Sequence, residues 1–366
     1  MRLLIVADKL TGGAGNVAQQ LAYCFSQKED NCVFLMIDAS AQPKYDLSRV
    51  QIIDRRRTPV RLKNPIKRAF RYLSNSKHLK NTINNCKADV ILSFLNSVSP
   101  EILFSQLHTK TPIIVSERSN PYMEWKEKEW QFKLKWWLTY LRANMIVYQF
   151  KCFEPFFLLP FRLHKTCAIP NMVIGNKDVI YSNRGMNHPI RLAALATLSS
   201  VKRIDKMIEI FASLLPRHPQ IELNLYGDGP NKNELIQQVK KLGITDKVHF
   251  HGHILNTHEN LCKNDILLLT SEREGFPNAI LEAMNAGIPT VMFKCHEGLS
   301  EIIINGENGY LIEQNNKKEF VEKLDYLIKN PLVLSYMKET TLQKRTNYSC
   351  DVVIKQWESC LKKVLS

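Results

Sequence analysis

The sequence predicts an α/β chain of two parallel-sheet domains, and three observations carry that expectation. Apolar runs of strand length alternate with helix-period stretches in two series, one from residue 2 to residue 115 and one from 190 to 312. Such alternation is the mark of parallel strands joined by crossover helices. The 366 residues suffice for two domains of about 170 each, both large enough for a core of their own. Finally, two glutamates, Glu274 and Glu282, flank a strand-to-helix turn with seven residues between them, which puts chemistry at the carboxyl end of a strand.

Taken in order, residues 2–7 read as a buried strand and Asp8–Gly15 as a loop ending in Gly12, Gly13, Ala14 and Gly15. Asn16–Phe25 follows as a helix with Val17, Leu21 and Phe25 on one face. Glycines at such a turn let backbone approach a ligand and offer amides to anions. The run is not the full dinucleotide fingerprint, and a tight turn without a ligand fits it equally. Further strands are expected at Val33–Ile37, Ala88–Phe94 and Pro112–Val115. The last runs into Ser-Glu-Arg-Ser-Asn-Pro, residues 116–121. Ligands of open α/β sheets sit outside the carboxyl ends of strands, so Glu117 and Arg118 are expected to point toward a cleft; a loop ion pair is the plainer reading.

Residues 61–81 and 124–150 place Lys and Arg beside Trp, Phe and Tyr. Such stretches suit a membrane interface. They equally suit core helices with a solvated face, with Trp136, Trp137, Leu138 and Leu141 inside. A nucleic-acid surface uses the same residue types, but no nucleic-acid motif accompanies them here.

The second series opens with a strand at 190–198, and Lys202 then precedes a helix with Met207, Ile208, Phe211 and Leu215 inward. Residues 221–230 give a strand ending in Gly227-Asp228-Gly229-Pro230, and 248–254 another, on which His249, His251 and His253 alternate. A metal site is not expected there, because tetrahedral sites draw ligands from more than one element. Asp265–Thr270 is a strand, Pro277 opens a helix and Gly287 stops it. Glu274 therefore lies on a loop at a strand end, and Glu282 lies within the helix, leaning toward its start. Ala279, Ile280, Ala283, Met284 and Ala286 leave Glu282 little polar surface, so it is expected to be partly buried and hydrogen-bonded. Alone, each acid reads as an ordinary loop or helix-surface glutamate. Together with the amides and dipole of the helix start, which favour phosphate, they suit a sugar nucleotide: acceptors for hydroxyls beside an anion site.

Nine cysteines without a C-x-x-C pair point to reduced thiols in a cytoplasmic protein, not a zinc ribbon or a disulfide framework. MRLLIVADKL reads as a first strand and not a signal peptide, and no run reaches bilayer length. The net charge of +15 suits nucleic acid, a membrane surface or an anionic substrate, and charge alone does not choose among them.

E-G-F-P-N-A-I-L-E followed by A-G-I-P-T-V, residues 274–291, resembles the E-x7-E motif of retaining glycosyltransferases of the GT-B fold. That group includes sucrose synthases and many bacterial lipid-glycan and polysaccharide transferases. The resemblance implies two Rossmann-like, doubly wound domains facing a central cleft. Residues 1–171 would be an acceptor domain, 172–188 a hinge following Ile169-Pro170-Asn171, 189–340 a nucleotide-sugar domain, and 341–366 a helix packing back on the first. It further implies that Glu274 binds the hexose hydroxyls and Glu282 the ribose. Lys202 and the loop Gly275, Phe276, Pro277, Asn278 and Ala279 would hold the diphosphate. Gly227 and Gly229 would line the donor, and His253 and Ile254 would meet the base. Gly12, Gly13 and Gly15 would face the pyrophosphate or the acceptor, and Glu117 with Arg118 the acceptor or donor sugar. One departure stands out: the family's Gly-Arg is Ala196-Thr197 here, with Arg203 a candidate for the missing charge.

The match is strongest over 190–312, where 297–312 also resembles the family, and looser over 30–110. It implies transfer of a hexose or N-acetylhexosamine, with retention, from a nucleotide diphosphate sugar, uridine preferred over guanosine. The acceptor would be a glycan or lipid-linked hydroxyl. No metal or other cofactor and no nucleic acid is expected, and the location would be cytoplasmic, at the inner membrane face. Two alternatives stay open: a GT-B nucleotide-sugar epimerase and a non-catalytic basic binding protein.

Overall fold

Leu3–Val6 is an unbroken apolar run, and in the computed structural model Arg2–Val6 forms β1, with Leu3, Leu4, Ile5 and Val6 fully buried. The structure describes residues 1–10, 12–37, 43–55, 77–94, 98–158, 165–174, 188–254 and 256–366. Most of the basic stretch 61–81 and of the expected hinge 172–188 lies outside the described residues. The chain divides into two compact units, Met1–Met172 with Cys350–Ser366, and Val173–Ser349.

In the first unit β1 pairs in parallel with β2 (Cys32–Ile37) and β4 (Val90–Phe94), Leu3 standing opposite both Val33 and Val90. With β3 (Val50–Asp54), β5 (Ile113–Ser116), β6 (Met145–Tyr148) and β7 (Thr166–Ala168) the described sheet has the order β3-β2-β1-β4-β5-β6-β7. Every described pairing in it is parallel. Strands buried on both faces require the continuous Val/Ile/Leu runs that the sequence shows. β3 and β7 do not follow that pattern and are not among the expected strands: Val-Gln-Ile-Ile-Asp is an edge strand that leaves Gln51 and Asp54 exposed, and β7 has three residues.

The helices of this unit are α1 (Gly12–Ser26), α2 (residues 77–86), α3 (Ser99–Ser105), α4 (Pro121–Glu127), α5 (Trp130–Arg142), α6 (Glu154–Leu158) and, from the far end of the chain, Cys350–Leu365. Two expectations are corrected here. α1 starts at Gly12, so Gly12, Gly13 and Gly15 form its first turn instead of a loop before it. The tight entry explains this, since a Cβ on Gly15 would lie 2.1 Å from the Lys9 carbonyl oxygen. The stretch 124–150 is also not one surface element, because Met145–Tyr148 is the buried strand β6.

The thiols differ from expectation as well. Cys24 of α1 and Cys350, 326 residues apart in sequence, are joined as a disulfide. Spacing along the chain carries no signal for a pairing at that separation.

The second unit holds β8 (Arg191–Leu195), β9 (Glu222–Tyr226), β10 (Val248–Gly252), β11 (Ile266–Leu269), β12 (Thr290–Lys294) and β13 (Gly309–Glu313). They run in the order β10-β9-β8-β11-β12-β13, parallel throughout the described pairs. Its helices are α7 (Ile204–Leu214), α8 (Lys232–Lys241), α9 (Thr257–Leu261), α10 (Asn278–Asn285), α11 (Lys317–Lys329) and α12 (Pro331–Arg345), and the terminal helix at Cys350–Leu365 is α13. The chain leaves β8 outward to β9 and β10, then returns past β8 to β11, so the strand order reverses between β8 and β11. Loops at that reversal diverge and leave a crevice at the carboxyl ends of the strands. Met207, Ile208, Phe211 and Leu214 close the core beneath it, Leu214 taking the inward place expected of Leu215.

Candidate active site

The two strands beside the reversal each end in a loop that carries a candidate residue. β8 leads through Ala196–Ser199 into a short 3-10 turn, Ser200–Lys202, and Arg203 then adopts φ 49° to start α7. β11 leads through Thr270–Pro277 into α10. The loops are laced together: the Thr270 hydroxyl donates to the carbonyls of Lys202 (3.1 Å) and Arg203 (2.8 Å), and the Glu272 amide donates to the Val201 carbonyl. This lacing puts Lys202 Nζ 2.6 Å from Glu274 Oε1, in a pair whose carboxylate side chain is only 8% exposed.

Pro277 stands one residue before α10, not at its first position, with ψ 102°. A proline side chain has no acceptor to offer the first-turn amides, so this helix start lacks the usual side-chain cap. The other end closes as expected. Gly287 takes φ +66°, its amide donates to the Met284 carbonyl and the Ile288 amide to that of Ala283, which is the Schellman arrangement. Glu282 lies on α10 and is half-buried.

Residues that sequence reasoning did not single out shape the same loop. His296 Nε2 donates to the Gly275 carbonyl at 3.0 Å, and burial keeps the imidazole below its ordinary pKa and so neutral near pH 7. Cys295 Sγ and Gln314 Nε2 both donate to the Ser271 carbonyl, at 3.1 and 3.0 Å. Burial, and then the nearby Glu274 carboxylate, push the Cys295 thiol up to about 12, so it remains protonated. The only sequence signal for these residues is their place just beyond β12 and β13, at strand carboxyl ends. Phe276 is buried, its ring edge-on to Tyr348 at 6.3 Å.

The remaining donor-side candidates lie on neighbouring loops. Gly227 takes φ +130° and packs where a Cβ would lie 2.0 Å from the Ala196 carbonyl oxygen, while Gly229 packs as tightly on Leu198. The Leu198 amide donates to Asp228 and the Gly227 amide to Gly252, so the loops after β8, β9 and β10 are tied edge to edge. β10 ends at Gly252, and exposed His253 and half-exposed Ile254 lie just beyond it. His251 bonds to Asn224 at 2.7 Å and stacks on Tyr226.

Arg203 is held by two other carboxylates. Asp205 grips its guanidinium through Nε (3.0 Å) and Nη2 (2.8 Å), and Glu272 takes Nη1. Asp205 and then Glu272 raise the guanidinium above its ordinary pKa. A separate cavity of about 460 Å3 lies there, lined by Ser199, Arg203, Asp205, Gln238, Glu272 and Arg273.

In the first unit Glu117 and Arg118 directly follow β5 and both are buried. Arg118 donates from Nε to Ser116 Oγ (2.8 Å) and from Nη1 to Asn171 Oδ1 (2.9 Å), and its guanidinium lies 5.5 Å from the Phe94 and Trp357 rings. Burial lowers its pKa to about 9, against the opposing pull of Glu117. These contacts strap β5 to the segment after β7 and to α13. Gln149, just past β6, is 2% exposed, and its amide makes no hydrogen bond among the described residues.

Residues 185–344 match the family described as Glycosyl transferases group 1. The match takes in most of the second unit and less than half of the chain. The group 1 match covers the crevice loops described above. An exopolysaccharide phosphotransferase of Streptomyces coelicolor is 32% identical over 166 residues, 45% of this chain and 18% of that one. An uncharacterized glycosyltransferase of Haemophilus influenzae is 31% identical over 170 residues, 46% of this chain and 48% of that one. The chain thus spans half or less of the length of these curated relatives. Among solved structures, the Anabaena protein HepE in complex with UDP and glucose superposes with a TM-score of 0.80 at 17% identity, covering 99% of this chain and all of that one. The chain has the GT-B fold.

Proposed function

We propose that this protein transfers a hexose or N-acetylhexosamine from a nucleotide diphosphate sugar, a UDP-sugar, to a hydroxyl of a lipid-linked or surface polysaccharide acceptor, with retention and without a metal. The observation that carries this reading is the Lys202–Glu274 pair at the strand-order reversal of the family domain. Glu274 offers an acceptor for sugar hydroxyls. Lys202, with three N–H donors, bonds Glu274 through one and has others to direct at a leaving phosphate. Charge develops on that phosphate as the glycosidic bond breaks, so a fixed cation and the first-turn amides of α10 lower the barrier there. Glu282 on α10 is assigned to the ribose. His296 contributes by holding the Gly275 carbonyl, which fixes the loop carrying those amides.

UDP and glucose bound to HepE, and glycosyltransferase relatives, support the class of donor. An acceptor carried on lipid would bring the protein to the inner membrane face. Thermal-shift titration with UDP, GDP and ADP and their sugars, first in EDTA and then with magnesium, tests the reading, since stability rises with ligand concentration over Kd. A stabilising response to UDP in EDTA is expected, together with loss of sugar transfer in Lys202→Ala and Glu282→Ala variants that remain folded. Full transfer activity in both variants would overturn the site.

A further inference from the structure

α5 has two apolar faces, and only one is covered. Trp136, Thr139 and Tyr140 turn inward, Trp136 lying against the Trp125 ring at 6.3 Å and the Tyr140 ring at 6.4 Å. The opposite face carries Trp130, Leu134, Trp137, Leu138 and Leu141, spaced i, i+4, i+7, i+8, i+11, which places them on one stripe. They are 70%, 47%, 39%, 54% and 41% exposed. Single exposed leucines are ordinary, but two tryptophans and three leucines aligned toward water on thirteen residues are not.

The surroundings of the stripe are cationic. Lys128 Nζ stands 5.8 Å over the Phe132 ring and Lys133 Nζ 5.5 Å over the Trp125 ring. Their stems thus run along apolar surface with the charges at its margin. Glu124, Glu127 and Glu129 precede Trp130 and do not interrupt the stripe. The first unit as a whole holds 29 Lys and Arg against 15 Asp and Glu, a net +14, whereas the second holds 21 against 20. Nearly all the excess charge is therefore on the unit that carries the stripe.

We propose that α5 is a docking element for an anionic lipid surface. Its Trp-Leu stripe would enter the boundary between headgroups and acyl chains, with its lysines at the level of the lipid phosphates. The charge decides the occupant. A second copy seated stripe to stripe would bring the same lysines and another net +14 against the first, whereas anionic headgroups neutralise both. As a statement about where the acceptor is met, the inference rests on the glycosyl-transfer reading; as a statement about binding, it does not.

Flotation of the full chain tests it, using phosphatidylcholine vesicles with and without one third phosphatidylglycerol. Wild type is expected to float with the anionic vesicles, to stay behind with the neutral ones, and to detach as salt rises. The variant Leu134→Glu/Leu138→Glu, at exposed positions, is expected to lose about tenfold or more in vesicle partition while keeping its circular dichroism and its response to UDP. Equal flotation of wild type and variant, or no flotation of wild type, would overturn the proposal. So would a dimer in light scattering that this variant dissociates. Vesicle binding without any UDP response would leave the docking element standing and remove the donor reading instead.

Discussion

Lys202 Nζ and Glu274 Oε1 are 2.6 Å apart although 72 residues separate them in sequence. The two groups to which the family resemblance gives separate tasks, diphosphate and hexose, thus neutralise each other. Glu274 is the more buried partner, so removing Lys202 strands its charge. Lys202→Ala is expected to cost about 2–3 kcal/mol, below the value for a fully buried pair because Lys202 is itself partly solvated. Lys202→Ala/Glu274→Gln should recover most of that stability and none of the activity. Urea unfolding of wild type, the two single variants and the double variant beside a transfer assay checks this; additive losses would mean that the pair does not couple.

Thr197 stands where the family has arginine and is exposed, and Arg203 is held by Asp205 and Glu272. Thr197→Arg is therefore expected to tighten UDP binding by about tenfold, the scale of one charge-assisted hydrogen bond. Calorimetric titration reads it directly. Unchanged affinity would show that this loop does not face the diphosphate.

Gly227 combines a left-handed backbone with a contact that admits no Cβ, 2.0 Å from the Ala196 carbonyl oxygen. Gly227→Ala is expected to destabilise the second unit by about 3 kcal/mol or more, from strain and overpacking together. Thermal melting would show it, and an unchanged melting temperature would mean that the β8 and β9 loops separate easily.

Cys167 of β7 meets Cys360 of α13, and that hydrogen bond holds the Cys167 thiol below its ordinary pKa, while burial raises Cys86 and Cys262. A lowered pKa populates the thiolate at lower pH than in an unperturbed cysteine. Iodoacetamide should therefore label Cys167 at lower pH than Cys86 and Cys262, which it should reach only in more alkaline solution. Peptide mass mapping against pH tests the order. In Cys360→Ser the Cys167 profile should change, because its partner thiol is replaced.

Much of the second unit was legible in the sequence because its signals are local. The apolar runs of β8, β9, β10 and β11 lie within a few residues of where they are expected, and Gly287 ends α10 through its own φ and two neighbouring hydrogen bonds. In the first unit β3 was not legible, since an edge strand needs no apolar run, and α1 begins earlier, with Gly15 packed on the Lys9–Leu10 turn.

By itself, the sequence determined the two strand–helix series, the register of the Glu274–Glu282 loop and helix, and the family to which they point. These depend on periodicity and on backbone preferences of adjacent residues. Tertiary structure alone decided which distant groups meet: that Lys202 pairs with Glu274 while Arg203 turns to Asp205 and Glu272, that His296 holds Gly275, and that Cys24 joins Cys350. It also decided α5. Both faces of Trp130–Arg142 are apolar, so the helix period could not tell which one packs inward. Only the arrangement of neighbouring elements covers Trp136 and Tyr140 and leaves Trp137 and Leu138 in water.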